Sequence, residues 1–115
     1  MINGAHVILY SRDAAADRAF LRDVLGYAYV DAGEGWLVFR LPPAEAAVHP
    51  ADSPAHELYL MCDDITATFA ELTAKGVEFT EPVTDAGWGV KTTLRLPGGG
   101  DLGLYQPRHA TAHDL

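Results

Sequence analysis

The chain has 115 residues, 49% of them hydrophobic, with 16 acidic against 8 basic side chains, a formal charge of -8 and one cysteine. That length fits a single domain able to bury about two-thirds of its unfolded surface, and the acidic balance would repel both nucleic-acid phosphates and anionic lipid surfaces. Cys62 has no partner for an intrachain disulfide, no apolar run approaches the ~20 residues of a membrane span, and Met1-Ile2-Asn3-Gly4 lacks the basic start of a signal segment, so a cytoplasmic location is expected.

In chain order, residues 6–10 form a short apolar run rich in strand formers, and Asp13 is placed to cap a helix over residues 14–25. Ala16, Phe20 and Val24 recur at i, i+4 and i+8 with Leu21 and Leu25 alongside, which gives that helix one buried face. Gly26 stands where a left-handed C-cap belongs. Strands are expected over residues 27–31, 35–41 and 46–49, with Pro42-Pro43 marking a turn, and residues 50–54 read as a linker.

The second half repeats this order. Residues 56–61 read as a strand, Asp63 precedes a helix with Ile65, Phe69 and Leu72 in its stripe, and Lys75-Gly76 ends it. Strands follow over residues 77–81, 90–96 and 101–106, the last two separated by the turn Pro97-Gly98-Gly99-Gly100. Ala5-His6, Asp13 and Gly26 return as Ala55-His56, Asp63 and Gly76, each displaced by 50 positions, while Arg40-Leu41-Pro42 returns as Arg95-Leu96-Pro97, displaced by 55. The expectation is one α+β domain over residues 1–115, made of tandem βαβββ modules at about 3–50 and 55–108 with a tail at 109–115. Each unit is too short to bury a core alone, so the two copies should pack around something shared.

With histidine opening its first strand, aspartate at the helix start and glycine ending it, this tandem pattern resembles the vicinal oxygen chelate superfamily, which includes glyoxalase I, extradiol dioxygenases, and fosfomycin- and bleomycin-resistance proteins. The resemblance runs from about residue 3 to 108, and rests most on residues 6–26, 56–76 and the ending Pro97-Gly-Gly-Gly-Asp-Leu-Gly-Leu-Tyr-Gln-Pro107. It implies curved sheets forming a central cup, helices outside, and metal ligands projecting inward from the first and last strands of each module. His6 and His56 match two of the four ligand positions. The other two normally carry carboxylates, and Ala46 and Gly103 stand there instead.

Period-two alternation puts His6, Ile8 and Tyr10 on one face with Val7 and Leu9 on the other, and would put His56, Leu58 and Leu60 together on the cup face. Tyr10, Trp36, Trp88 and Tyr105 are candidates for an aromatic cup lining, with core packing as the plainer role for each. Two imidazoles hold zinc, iron, manganese or nickel weakly without a third ligand, and Glu45 and Glu57 lie one residue from the matching places, on the wrong face unless a bulge or another register intervenes. Neutral imidazoles could equally hydrogen-bond backbone or ligand.

Arg40 and Arg95 read as structural ion-pair partners. His109 and His113 have helical metal spacing but sit in a polar tail. Trp88, between Gly87 and Gly89, reads as a gating loop or a simple turn.

Three functions follow. The first is a binding protein without cofactor, similar in design to bleomycin-resistance proteins, that sequesters a small aromatic or cationic molecule. The second is a divalent-metal glyoxalase-like lyase or isomerase, or an extradiol-type dioxygenase, using His6 and His56. The third is a silent dimerisation module. A homodimer is expected, with a small-molecule partner and neither nucleic acid nor membrane.

Overall fold

Two helices are set by side chains that answer their first free amides. Asp13 accepts from the Ala16 amide at 3.0 Å and starts α1 (Ala14–Ala19). In α2 (Ile65–Ala74) the cap is Asp64, which accepts from the Ala67 amide at 3.1 Å, and not the expected Asp63. The Ile65 amide is also taken by Gln106 Oε1 at 3.0 Å, which ties this helix start to the last strand. Gly26 and Gly76 close the helices with φ of 71° and 84°, a left-handed conformation open to glycine without Cβ strain.

The caps lie 51 positions apart and the terminal glycines 50, so the first helix holds one more residue than the second. A π-helical turn over Phe20–Val24, closed by the Leu25 amide on the Phe20 carbonyl at 3.1 Å, takes up that residue.

The structure, a computed structural model, describes Met1 and residues 5–115; the expected start of module one near residue 3 lies outside them. The described residues form a mixed α+β structure with two helices and two sheets. Strands β1 (Tyr29–Asp31) and β2 (Leu37–Phe39) form an antiparallel pair. The other sheet contains β3 (Tyr59–Met61), β4 (Glu78–Phe79), β5 (Thr84–Asp85), β6 (Gly89–Arg95) and β7 (Asp101–Pro107), ordered β3-β7-β6-β4 with β5 beside β6. Strand β3 runs parallel to β7 and the remaining pairs are antiparallel. The short β5 was not foreseen. None of the described helices is long and apolar enough to cross a membrane.

Module two thus shows its expected βαβββ order with the short β5 added between β4 and β6, whereas the described residues of module one do not complete theirs. Residues 6–10 and 46–49, expected as its opening and closing strands, have no ladder partner among the described residues and are not strands. A strand exists only through the neighbour that answers its amides and carbonyls, and among the described residues of one chain these segments find none. Their apolar side chains remain in solvent: Ile8 is 61% exposed, Tyr10 89% and Val48 97%.

The core explains the imbalance. Phe20 and Leu72, one from each helix, pack with Val77, Leu94, Leu96, Leu102 and Leu104, so the first helix buries its apolar stripe against the second module. Leu21, Val24, Leu25, Leu58, Leu60, Cys62 and Phe79 close around them. Asp17, also buried, accepts the Gly98 amide at 2.7 Å and fixes α1 to the turn between β6 and β7.

Candidate functional site

Register divides the large sheet into two faces. Leu60, Leu104 and Thr92 are mutual partners, as are Leu102 and Leu94, and this face lies under the helices. On the opposite face stand Tyr59 with Gly103 and Thr93, and Met61 with Tyr105 and Lys91. Leu58 and Leu60 belong to the helix-packed side, which corrects the expectation that they share a cup face with His56.

Three rings pave the open face. Tyr105 and Trp88 meet edge to face with centroids 5.0 Å apart, Tyr59 and Tyr105 at 5.6 Å, and Tyr59 and Trp88 at 5.9 Å. Glycines make the paving possible. A Cβ built on Gly103 would stand 2.2 Å from Cδ1 of Tyr59, and one on Gly89 would stand 2.9 Å from Cδ2 of Tyr105. Each tyrosine ring therefore occupies the room that a side chain on the facing strand would need.

Trp88 sits in the turn of the β5–β6 hairpin. The Ala86 amide donates to the Gly89 carbonyl at 2.9 Å, the Gly87 amide to Asp85 at 2.8 Å, and the Arg108 amide to the Trp88 carbonyl at 3.0 Å. Arg108 also pairs with Asp85. The indole is held in a pinned turn and is 41% exposed.

The tail adds to the cluster. His109 Nε2 lies 3.1 Å from the Tyr105 hydroxyl, and its Nδ1 2.7 Å from the Ala110 carbonyl, so a neutral ring donating to that carbonyl accepts from the tyrosine. Further along, the Ala112 amide donates to Glu45 at 2.6 Å, which brings the end of module one towards the same rings. Burial raises the Tyr105 phenol above its ordinary pKa, and the charge of Glu45 adds to that effect.

Polar groups complete the face. Glu81 accepts from Lys91 and from the Thr93 hydroxyl, each at 3.1 Å. The Lys91 bond, then the Thr93 bond, holds the Glu81 carboxyl below the usual glutamate range. Lys91 is raised chiefly by the same bond, with smaller contributions from the charges of Glu81 and Glu57.

Of the ligand and metal candidates His6, Tyr10, Trp36, His56, Trp88 and Tyr105, the structure brings Trp88 and Tyr105 into contact with each other. Trp36 lies apart, with the Arg18 guanidinium 4.6 Å above its ring. Tyr10, His6 and His56 are exposed and belong to none of the aromatic pairs. Arg95 faces Asp101 at 3.8 Å, while Arg40 has no such partner among the described residues. Tyr59 was not among the sequence candidates, and His109 was set aside there as part of the tail. The signal for Tyr59 was its place opposite a strand glycine.

The described residues of this face do not assemble a complete set of metal donors. Gly103 offers no donor and its space is filled by the Tyr59 ring. No three His, Cys, Asp or Glu side chains converge among the described residues. Cys62 is a poor thiolate source, because burial raises its pKa. Two grooves, of about 410 Å³ beside Arg18, Arg22 and Tyr29 and about 290 Å³ beside Val24, Val77 and Leu96, lie away from the three rings.

The family model described as Glyoxalase/Bleomycin resistance protein/Dioxygenase superfamily matches residues 4–102. Among solved structures, the chain is similar to TnmS3, an antibiotic binding protein from a Streptomyces species, at 24% identity and a TM-score of 0.64, over 93% of this chain and 99% of that one. It is similar to a lactoylglutathione lyase from Agrobacterium tumefaciens at 18% identity and 0.65, over 90% and 92%. A superfamily member from Sphaerobacter thermophilus gives 22% identity and 0.61, over 91% and 98%. No curated protein matches the chain.

Proposed function

The chain belongs to the glyoxalase/bleomycin resistance protein/dioxygenase superfamily, and from that membership we propose that it binds and sequesters a small organic molecule without a complete family metal site. The observation that carries this reading is the Tyr59 ring lying over Gly103, the position that the sequence resemblance matches to a family carboxylate. An aromatic surface there holds a ligand by stacking and burial rather than by coordination. Similarity to an antibiotic binding protein supports the same direction.

A homodimer completes the site in this reading. Residues 6–10 and 46–49 leave Ile8, Tyr10 and Val48 in water, and β3 ends its sheet with one edge unpaired among the described residues. A second copy would supply both the ladder partners and the facing wall. Sedimentation velocity at micromolar concentration should give a species of twice the 12.4 kDa chain mass.

The test of the binding reading is calorimetric titration of chelator-treated protein with zinc, iron(II), manganese and nickel, alongside elemental analysis of protein as purified. The expected result is no stoichiometric metal. A tightly bound divalent ion that is lost in His6→Ala would refute the reading and favour a metal-dependent lyase, isomerase or dioxygenase, for which the similarity to a lactoylglutathione lyase speaks.

A further inference from the structure

The π-helical turn changes which residues of the two modules correspond. Counting back from the observed caps, His6 stands seven residues before Asp13, and the residue seven before Asp64 is Glu57. Position 56 matches His6 only when the modules are aligned on their terminal glycines, after the extra residue has been absorbed.

Packing agrees with the count from the caps. The Gly103 amide donates to the Leu58 carbonyl at 3.3 Å, so ladder bonding reaches back to residue 58. Leu58 and Leu60 pack on the helix side, which leaves Glu57, like Tyr59, to the ring-paved side. The charge of Glu57 is felt at Lys91, a residue of that face.

Charges around the rings do not cancel. Lys91 is matched by Glu81, Arg95 by Asp101 and Arg108 by Asp85. Glu57 and Glu45 have no cation within ion-pair distance among the described residues. Glu45 receives one backbone amide, from Ala112. The face therefore combines exposed indole, half-buried phenol and two unmatched carboxylates.

We propose that Glu57 is the charge-selecting residue of this face, and that with the rings of Tyr59 and Trp88 it selects a planar aromatic cation. This rests on the ligand-binding reading above and names its ligand class. A planar ring stacks on the indole, and its positive charge is favoured both by the ring faces and by a carboxylate on the same side of the sheet.

Fluorescence anisotropy on the intact protein tests the proposal with three planar tricyclic probes: proflavine as the cation, acridone as the neutral ring and anthracene-9-carboxylate as the anion. Proflavine should bind saturably and at least ~10-fold more tightly than the anion. Glu57→Gln should weaken proflavine about 5-fold and leave acridone unchanged, with a smaller effect from His56→Gln. Tyr59→Ala should weaken all three probes. Glu34→Gln, in the β1–β2 turn, reports general attraction to an acidic protein and should have no effect.

Equal binding of the three probes would overturn the ligand class while leaving the binding reading intact. A larger loss from His56→Gln than from Glu57→Gln would overturn the residue assignment. Failure of every probe to bind would overturn both this proposal and the binding reading.

Discussion

Gly103→Ala is expected to destabilise the protein by about 1–2 kcal/mol through a single ring. The added Cβ would lie 2.2 Å from Cδ1 and 2.4 Å from Cε1 of Tyr59. Carbon atoms rest at about 3.5–4.0 Å, so the ring must retreat by more than ~1 Å. Retreat withdraws it from its edge contacts with Trp88 and Tyr105, each worth ~0.5–1.5 kcal/mol. Alanine recovers roughly 0.5–1 kcal/mol over glycine within a strand, and Gly103 has no positive φ to oppose it. The net loss corresponds to a midpoint lowered by roughly 4–8 °C. Urea denaturation and calorimetry would measure it. In the double variant Gly103→Ala with Tyr59→Ala the new methyl enters vacated space, so its loss should fall short of the sum of the two single losses by about 1 kcal/mol. Wild-type stability for Gly103→Ala, or strictly additive losses, would refute the reasoning.

Removing the α2 cap with Asp64→Ala should cost ~1 kcal/mol in urea denaturation, whereas Asp63→Ala should stay within about 0.5 kcal/mol. Asp17→Ala strands the Gly98 amide that it now receives at 2.7 Å, and should cost about 1–3 kcal/mol in the same measurement. The depressed pKa of Glu81 contributes stability that is present above the unfolded glutamate value and is lost as pH falls through the lower folded value. Lys91→Met should therefore flatten the acid limb of the urea-midpoint profile between those two values.

Local signals in the sequence carried both helices, because cap, apolar stripe and terminal glycine all lie within one element. They misjudged by one residue. An amphipathic stripe tolerates a π-turn, so the extra residue in the first helix left Phe20 and Val24 on the same side, and two adjacent aspartates hid which one caps α2. Module two was legible because β6 and β7 are long, alternate in burial and flank the Pro-Gly turn. Residues 6–10 and 46–49 were not, since pairing is decided by distant neighbours that a strand-forming composition cannot supply. Tyr59 escaped attention because a face assigned from His56 placed it on the wrong side. His109 was read as tail, though the Tyr105 hydroxyl holds it in place.

Phe20 also sets an order of events during synthesis. Its core partners run from Leu72 to Leu104, so the first half of the chain leaves the ribosome with its principal aromatic anchor still without a hydrophobic home. Until the final strand emerges, that half is an exposed apolar helix joined to a two-stranded hairpin, a combination prone to association with chaperones or with other nascent chains. Truncation before Leu104 would therefore yield an aggregation-prone fragment rather than a free-standing half-module.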